Sequence, residues 1–211
     1  MATGEDQYSA RREHMIQTQI RARGIRDPEV LEAMRIVPRH EFIENQRRSQ
    51  AYEDHPVPIG HGQTISQPYI VAYMTEALEV ERGNRILEVG AGCGYQTAIL
   101  LELTSKVHSL ELLPDLVDLA RGNLSKFGYE TNGIRNGNGY HGLDEYAPFD
   151  RILVAAAAPK IPPLLLNQLN DGGIMIIPIG TDWQELVRVE KKGGGITLQN
   201  LMAVRFVPLV P

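Results

Sequence analysis

Ile86-Leu87-Glu88-Val89-Gly90-Ala91-Gly92-Cys93-Gly94-Tyr95 decides the fold: four strand-type residues run straight into alternating glycines, and a helical pattern follows to residue 104. Strand, glycine turn and helix form the first half of a β-α-β unit, and a ligand belongs at such a turn because glycines let backbone come close to it. Working outward, residues 107–112 read as a second strand, 114–127 as a helix and 133–135 as the core of a third strand. Residues 151–155 make a fourth strand, 161–169 a helix behind Pro162-Pro163, and 174–178 a fifth strand. Residues 185–189 and 196–207 straddle Gly193-Gly194-Gly195 as a β-hairpin. The alternation predicts an α/β, doubly wound, mostly parallel sheet ending in an antiparallel C-terminal pair, with helices at the N-terminus.

Upstream, residues 6–23 carry many charges and few apolar side chains, the pattern of a solvated helix. Asp27-Pro28 is a helix start, with Asp as N-cap and Pro at the first helical position. That helix points Val30, Leu31, Met34 and Ile36 toward a core, and Pro38 stops it. Residues 39–67, with Pro56, Pro58, Gly60 and Gly62, read as a loop long enough to suggest binding. Ser66-Gln67-Pro68 opens a helix to about residue 80, burying Ile70, Val71, Met74, Ala77 and Leu78. The expected organisation is residues 1–66 as N-terminal helices and a substrate loop, packed on a core of residues 67–211, in one compact domain.

The 211 residues are 43% hydrophobic, 22% charged and 6% aromatic, within the range of globular chains. Twenty-one basic against 26 acidic residues give a net charge of −5, whereas a nucleic-acid grip calls for a basic excess, so no nucleic-acid partner is expected. A single cysteine, Cys93, closes no intramolecular disulfide and offers no CxxC metal spacing. A polar N-terminus and the lack of a long apolar run predict a cytoplasmic protein without a membrane anchor.

A dinucleotide fingerprint would place its third glycine at position 95, where Tyr95 stands. Glu88, read as a carboxylate at the mouth of the loop, repels a pyrophosphate and suits a cofactor with a cationic amino-acid end, such as S-adenosylmethionine. Glu111 ends the second strand 21 residues after Gly90, where an acid accepts the ribose hydroxyls of a bound nucleoside. Asn138-Gly139, in the turn after the third strand, could flank the adenine. Methyl transfer from a sulfonium needs a positioned nucleophile. The fourth strand ends Ala155-Ala156-Ala157-Ala158 and supplies no base, so the acceptor should be nucleophilic already, as a carboxylate is. Hydrogen bonds from the 60–66 loop would hold it. Ser66 could donate one or merely cap the next helix, and capping is the simpler reading. His55 and His61 could be bases or surface residues, and Arg205 could pair with the carboxylate or be an exposed strand residue.

Several blocks resemble the protein-L-isoaspartate O-methyltransferases of bacterial and archaeal type. They are Gln63-Thr64-Ile65-Ser66-Gln67-Pro68, the stretch from Leu87 through Ala98, Ala147-Pro148-Phe149-Asp150, Leu169-Asn170-Asp171-Gly172-Gly173 and Val204-Arg205-Phe206-Val207-Pro208-Leu209. The resemblance implies a monomer with a Rossmann-like methyltransferase fold that transfers a methyl from S-adenosylmethionine, leaving S-adenosylhomocysteine. The acceptor it implies is the α-carboxylate of L-isoaspartyl residues in damaged peptides and proteins. The ester then closes to a succinimide, which begins repair. Carried over, the family's roles make Ser66 the active-site residue, with Thr64, Ile65 and Arg205 beside the substrate. Glu88, Gly90, Gly92, Gly94, Glu111, Asn138 and Gly139 fall to the cofactor. Cys93 stands where the family has Ser or Thr. Asn138 replaces an Asp, which implies weaker cofactor binding because charge-assisted bonds are stronger. Asn138-Gly139 is also a deamidation-prone pair. Two other readings are a methyltransferase for another carboxylate or small molecule and a cofactor-binding protein without catalysis.

Overall fold

The computed structural model describes residues 4–210. The chain runs α1 (Gly4–Met15), α2 (Pro28–Ile36), β1 (Val57–Gly60), β2 (Gln63–Ile65), α3 (Pro68–Ala77), β3 (Ile86–Val89), α4 (Tyr95–Leu103) and β4 (Val107–Glu111). It continues through α5 (Pro114–Ser125), β5 (Ile134–Asn136), β6 (Phe149–Val154), α6 (Pro163–Gln168), β7 (Leu169–Gly180), β8 (Gln184–Lys192) and β9 (Gly195–Val204). Seven strands form one sheet in the order β5-β4-β3-β6-β7-β8-β9. The first five lie parallel; β8 adds antiparallel to β7 and β9 antiparallel to β8, as a meander. The chain turns back beside β3 to place β6 there, so the crevice past the carboxyl ends of β3 and β6 is the switch point where such sheets bind ligands.

The central strands β3, β6 and β7 are mostly apolar because both faces of the sheet are covered there. Leu87, Val89, Ile152, Val154, Met175 and Ile177 pack in one buried cluster with Leu165 of α6. Ile86, Leu153, Ile174 and Ile176 share another with Met74 and Leu78 at α3 and Leu100 of α4. A third cluster joins the N-terminal segment to α4 and α5, through Ile16, Val30, Met34, Tyr95 and Leu116. Fully burying side chains of this size contributes about 1.5–3 kcal/mol each.

Several elements depart from expectation. The first helix is not solvated to its end: after Met15 it widens into a π-turn (Ile16–Ile20) and then a 3₁₀ turn (Arg21–Arg23), and Met15, Ile16 and Ile20 are fully buried. Three apolar residues among many charges carry no obvious period, yet they suffice to dock it. Asp27 does cap α2, accepting from Glu29 and Val30, but Ile36 in its last turn is 48% exposed. The loop of residues 39–67 contains two 3₁₀ segments (Arg39–Phe42 and Asn45–Gln50) and the β1-β2 hairpin, pairing Val57 with Ile65. Strand β7 is longer than residues 174–178, because a register shift near its start lets Leu169 pair with Phe149.

Beyond β9 the chain turns back across the carboxyl edge. The Ala157 N–H donates to the Val207 carbonyl at 2.8 Å and the Leu209 N–H to the Ala157 carbonyl at 2.7 Å. Gln184 clips the turn, its Oε1 accepting from the Phe206 N–H at 2.6 Å and its Nε2 donating to the Phe206 carbonyl at 3.1 Å. The β7-β8 connection projects Trp183, the chain's single tryptophan, 72% exposed.

Candidate active site

A cavity of about 870 Å³ opens at the switch point. Its floor is the turn after β3. The Gly90 N–H donates to the Leu110 carbonyl at 2.8 Å, holding the turn against β4. Gly90 and Gly92 have φ of +91° and +55°, left-handed values that glycine adopts without penalty. Glu111, at the end of β4, braces the turn from the side: Oε2 accepts from the Gly92 N–H at 2.8 Å and Oε1 from the Leu113 N–H at 3.0 Å. A carboxylate has about four acceptor positions, so two remain for hydroxyl donors in the cavity that Glu111 lines.

Asn138 and Gly139 form the wall beyond β5. Asn138 Oδ1 accepts from the Tyr140 N–H at 2.8 Å, and Gly139 is packed so that a Cβ there would fall 2.1 Å from Val89 Cγ1. On the opposite side the β1-β2 hairpin leans over the glycine turn, with Ile59 Cδ1 3.3 Å from where a Gly92 Cβ would stand. Thr64, Ile65 and Ser66 line the cavity from the hairpin's descending limb, and Arg205 and Val207 from the returning tail. Ala155 and Ala156, past β6, offer it methyl groups only.

Ser66 is not a helix cap. Gln67 occupies that position without any side-chain capping bond, and Gln67 Nε2 donates instead to Asp54 Oδ1 at 2.7 Å. Among the described residues the Ser66 hydroxyl makes no hydrogen bond. Its carbonyl is held from beneath: Arg39 is fully buried, donating from Nη2 to the Ser66 carbonyl and from Nε to the Ala51 carbonyl, both at 2.7 Å. The Arg39 guanidinium also lies 4.9 Å from the ring centre of Tyr95, and burial pulls its pKa down. Nothing in Val37-Pro38-Arg39-His40 distinguishes a buried arginine from a surface one, so the local sequence does not signal Arg39.

Glu88 is corrected. Its side chain is fully buried beneath the turn, not at its mouth, and Oε2 accepts from Thr97 Oγ1 at 2.6 Å and Ser109 Oγ at 2.5 Å. Burial pushes its pKa up to about 7, with the two hydroxyls opposing and the Glu111 charge reinforcing the shift. Strand alternation explains the misplacement: Glu88 shares the face of Ile86, which α3 and α4 cover. Gly94 does not line the cavity either. It ends the turn as the N-cap position of α4, where a Cβ would come 3.2 Å from the Ala120 backbone. Cys93 is buried, with its pKa pushed up to about 11, so the thiol is inert at neutral pH. His61 lies at the hairpin tip, lining the cavity with Nε2 3.7 Å from Asp115 Oδ2. His55 is exposed, its Nδ1 2.8 Å from the Pro56 carbonyl, and lies outside the cavity.

The sheet order, the glycine turn on β3 and the acid on β4 define a methyltransferase of the Rossmann-like class. Comparison with known proteins narrows this. The family description Protein-L-isoaspartate(D-aspartate) O-methyltransferase (PCMT) matches residues 10–211. A protein-L-isoaspartate O-methyltransferase of Opitutus terrae is 51% identical over 199 residues, 93% of this chain and 85% of that one. One of Methanoculleus marisnigri is 50% identical over 200 residues, covering 94% and 91%. Among solved structures, a Plasmodium falciparum protein described as a beta-aspartate methyltransferase (PCMT), in complex with S-adenosyl-L-homocysteine, superposes with a TM-score of 0.83 at 31% identity. That match covers 93% of this chain and 97% of that one. The chain belongs to the protein-L-isoaspartate O-methyltransferase family.

Proposed function

We propose that this protein transfers a methyl group from S-adenosylmethionine to the α-carboxylate of L-isoaspartyl residues in peptides and proteins, initiating their repair through a succinimide. The observation that carries the assignment of roles is Ser66: an unbonded hydroxyl on the cavity wall, its backbone fixed by a buried arginine. The cavity fits the cofactor. Glu111 has acceptor capacity to spare for a ribose, and the turn around Gly90 and Gly92 leaves room for a chain close to the backbone. Asn138 and Gly139 supply the wall on the adenine side. When bound, the cofactor supplies an electrophilic sulfonium methyl.

The chain's own contribution is positioning. An isoaspartyl carboxylate is ionised at neutral pH, so it needs no base, and Ala155-Ala156 past β6 provides none. Ser66 donates to one carboxylate oxygen and thereby aims the other, while Thr64 and Ile65 present the hairpin limb to the peptide backbone. Arg205, exposed on the tail at the cavity rim, supplies the local positive charge that a chain of net charge −5 does not supply generally. Such preorganisation is worth several kcal/mol in displacement reactions. Asn138→Asp should keep the acceptor for the Tyr140 N–H and add charge, tightening cofactor binding by calorimetry. An unchanged affinity would remove Asn138 from the cofactor site.

No helix among the described residues is long and apolar enough to cross a membrane. A cytoplasmic monomer, acting on proteins and not on nucleic acid, is the setting we propose. The deciding experiment is incubation with methyl-labelled S-adenosylmethionine and matched peptides differing only in aspartate or isoaspartate at one position. Label on the isoaspartyl peptide alone is expected. Label on neither, with cofactor still bound, would reject the reading in favour of a binding protein.

A further inference from the structure

The segment from Asn132 to Gly139 contains three Asn-Gly pairs in eight residues: Asn132-Gly133, Asn136-Gly137 and Asn138-Gly139. Asparagine before glycine is prone to deamidation. The following backbone nitrogen attacks the side-chain carbonyl carbon, ammonia leaves, and water opens the resulting succinimide to aspartate or isoaspartate. The reaction requires a side chain free to turn toward its own backbone and an available N–H at the glycine.

The structure separates the three. At Asn136 the Nδ2 donates to the carbonyls of Glu111 at 3.0 Å and Leu112 at 2.9 Å, and the Gly137 N–H donates to Glu111 at 3.0 Å. Carboxamide and nucleophile are both committed. At Asn138 the carboxamide oxygen caps Tyr140 and Gly139 is buried against Val89, so the pair singled out from sequence is locked. Asn132 is different. It is exposed at the corner of a turn closed by the Ile134 N–H on the Thr131 carbonyl at 3.0 Å. Among the described residues neither its side chain nor the Gly133 N–H is held by a hydrogen bond. The glycine cannot be relieved, because a Cβ at Gly133 would lie 2.3 Å from the Val107 carbonyl oxygen. The pairing of β5 with β4 thus keeps the activating residue in place.

We propose that Asn132 is this protein's site of spontaneous isoaspartate formation, and that the damaged chain is then a substrate for a second copy of itself. The second half rests on the function proposed above. It must run between molecules: Asn132 precedes the amino end of β5, whereas the cavity lies past the carboxyl ends of the strands, about 10 Å away along β5 alone. The repair also has a local motive. An isoaspartyl linkage inserts an extra main-chain carbon just before β5, the strand leading to Asn136 and Asn138 at the cavity.

Incubation in warm, mildly alkaline buffer followed by tryptic mapping tests the site. Cleavage after Lys126 and Arg135 puts Asn132 alone on residues 127–135 and the other two pairs on residues 136–151. The first peptide should gain the amide-to-acid mass several-fold faster than the second. Equal or reversed rates would overturn the assignment. Aged protein mixed with fresh Asn132→Gln enzyme and methyl-labelled S-adenosylmethionine should take label on residues 127–135, at a rate rising with the fresh enzyme. Aged Asn132→Gln protein should take none there. A synthetic isoaspartyl peptide runs in parallel: if it is methylated and aged protein is not, self-repair is wrong. If the peptide also stays unlabelled, the proposed function has failed, while the mapping still decides the site.

Discussion

At the scale of the residue, two side chains separate chemistry from stability. Among the described residues the Ser66 hydroxyl has no hydrogen-bond partner, so Ser66→Ala leaves none of them unsatisfied. The unfolding free energy from urea titration should stay within about 0.5 kcal/mol of wild type, as for surface substitutions. A hydrogen bond to a charged group is worth about 1.5–3 kcal/mol, so kcat/KM for an isoaspartyl peptide should fall by about 10–100-fold. A large loss of stability with activity retained would return Ser66 to a structural role. Glu88 is the converse. Its folded pKa is raised from 4.5 to about 7, so the folded chain holds a proton that the unfolded chain releases. The stability this proton confers is full below about pH 4.5 and is lost as pH rises toward 7. At about 1.4 kcal/mol per unit the change is a few kcal/mol. Glu88→Gln keeps an acceptor for Thr97 and Ser109 and removes the proton, so its unfolding free energy should be flatter than wild type between pH 5 and 8. Parallel pH profiles for the two proteins would refute this. The acid was legible in the sequence; its depth was not, because the same letter serves at a loop mouth and one position inside a buried strand.

At the scale of the element, the β1-β2 hairpin and its root matter most. Arg39 ties the Ser66 carbonyl to the Ala51 carbonyl across a segment whose sequence reads as featureless loop. Arg39→Ala should leave two carbonyls without partners and a cavity, destabilising the fold by about 2–5 kcal/mol. Arg39→Lys can reach one carbonyl only. It should lower activity on isoaspartyl peptide while S-adenosylhomocysteine affinity, by calorimetry, stays close to wild type. Equal losses in both would mean that Arg39 supports the cavity as a whole. The regular β-α alternation is readable because the central strands carry short apolar runs, Ile86-Leu87, Ile152-Leu153-Val154 and Ile174-Met175-Ile176-Ile177, with helix-start signals such as Pro114 and Pro162-Pro163 between strands. The hairpin is not, since Val57-Pro58-Ile59-Gly60 is short and interrupted by proline. Ser66 was found through the resemblance of the Gln63–Pro68 block, while its local physics alone favoured a cap that the structure gives to Gln67.

At the scale of the whole molecule, composition and alternation disclose the doubly wound sheet, but the placement of β8 and β9 comes from long-range pairing. Antiparallel pairing leaves open which strand takes the edge, and the meander puts β9 there, so the tail must cross back over Ala157 to reach the cavity rim. Arg205 owes its position to that return, a property no local spacing encodes. The same corner of the molecule governs its spectroscopy. The lone indole, Trp183, stands 72% exposed on the β7-β8 turn, so native emission should already be that of a solvated tryptophan and should barely move when urea unfolds the chain. Circular dichroism will register a transition to which fluorescence is nearly blind, and a strongly blue-shifted native spectrum would contradict this. Any change of emission at constant ellipticity would instead report an event at the turn beside Gln184 and the tail, making the tryptophan a built-in sensor for a polypeptide arriving at the rim.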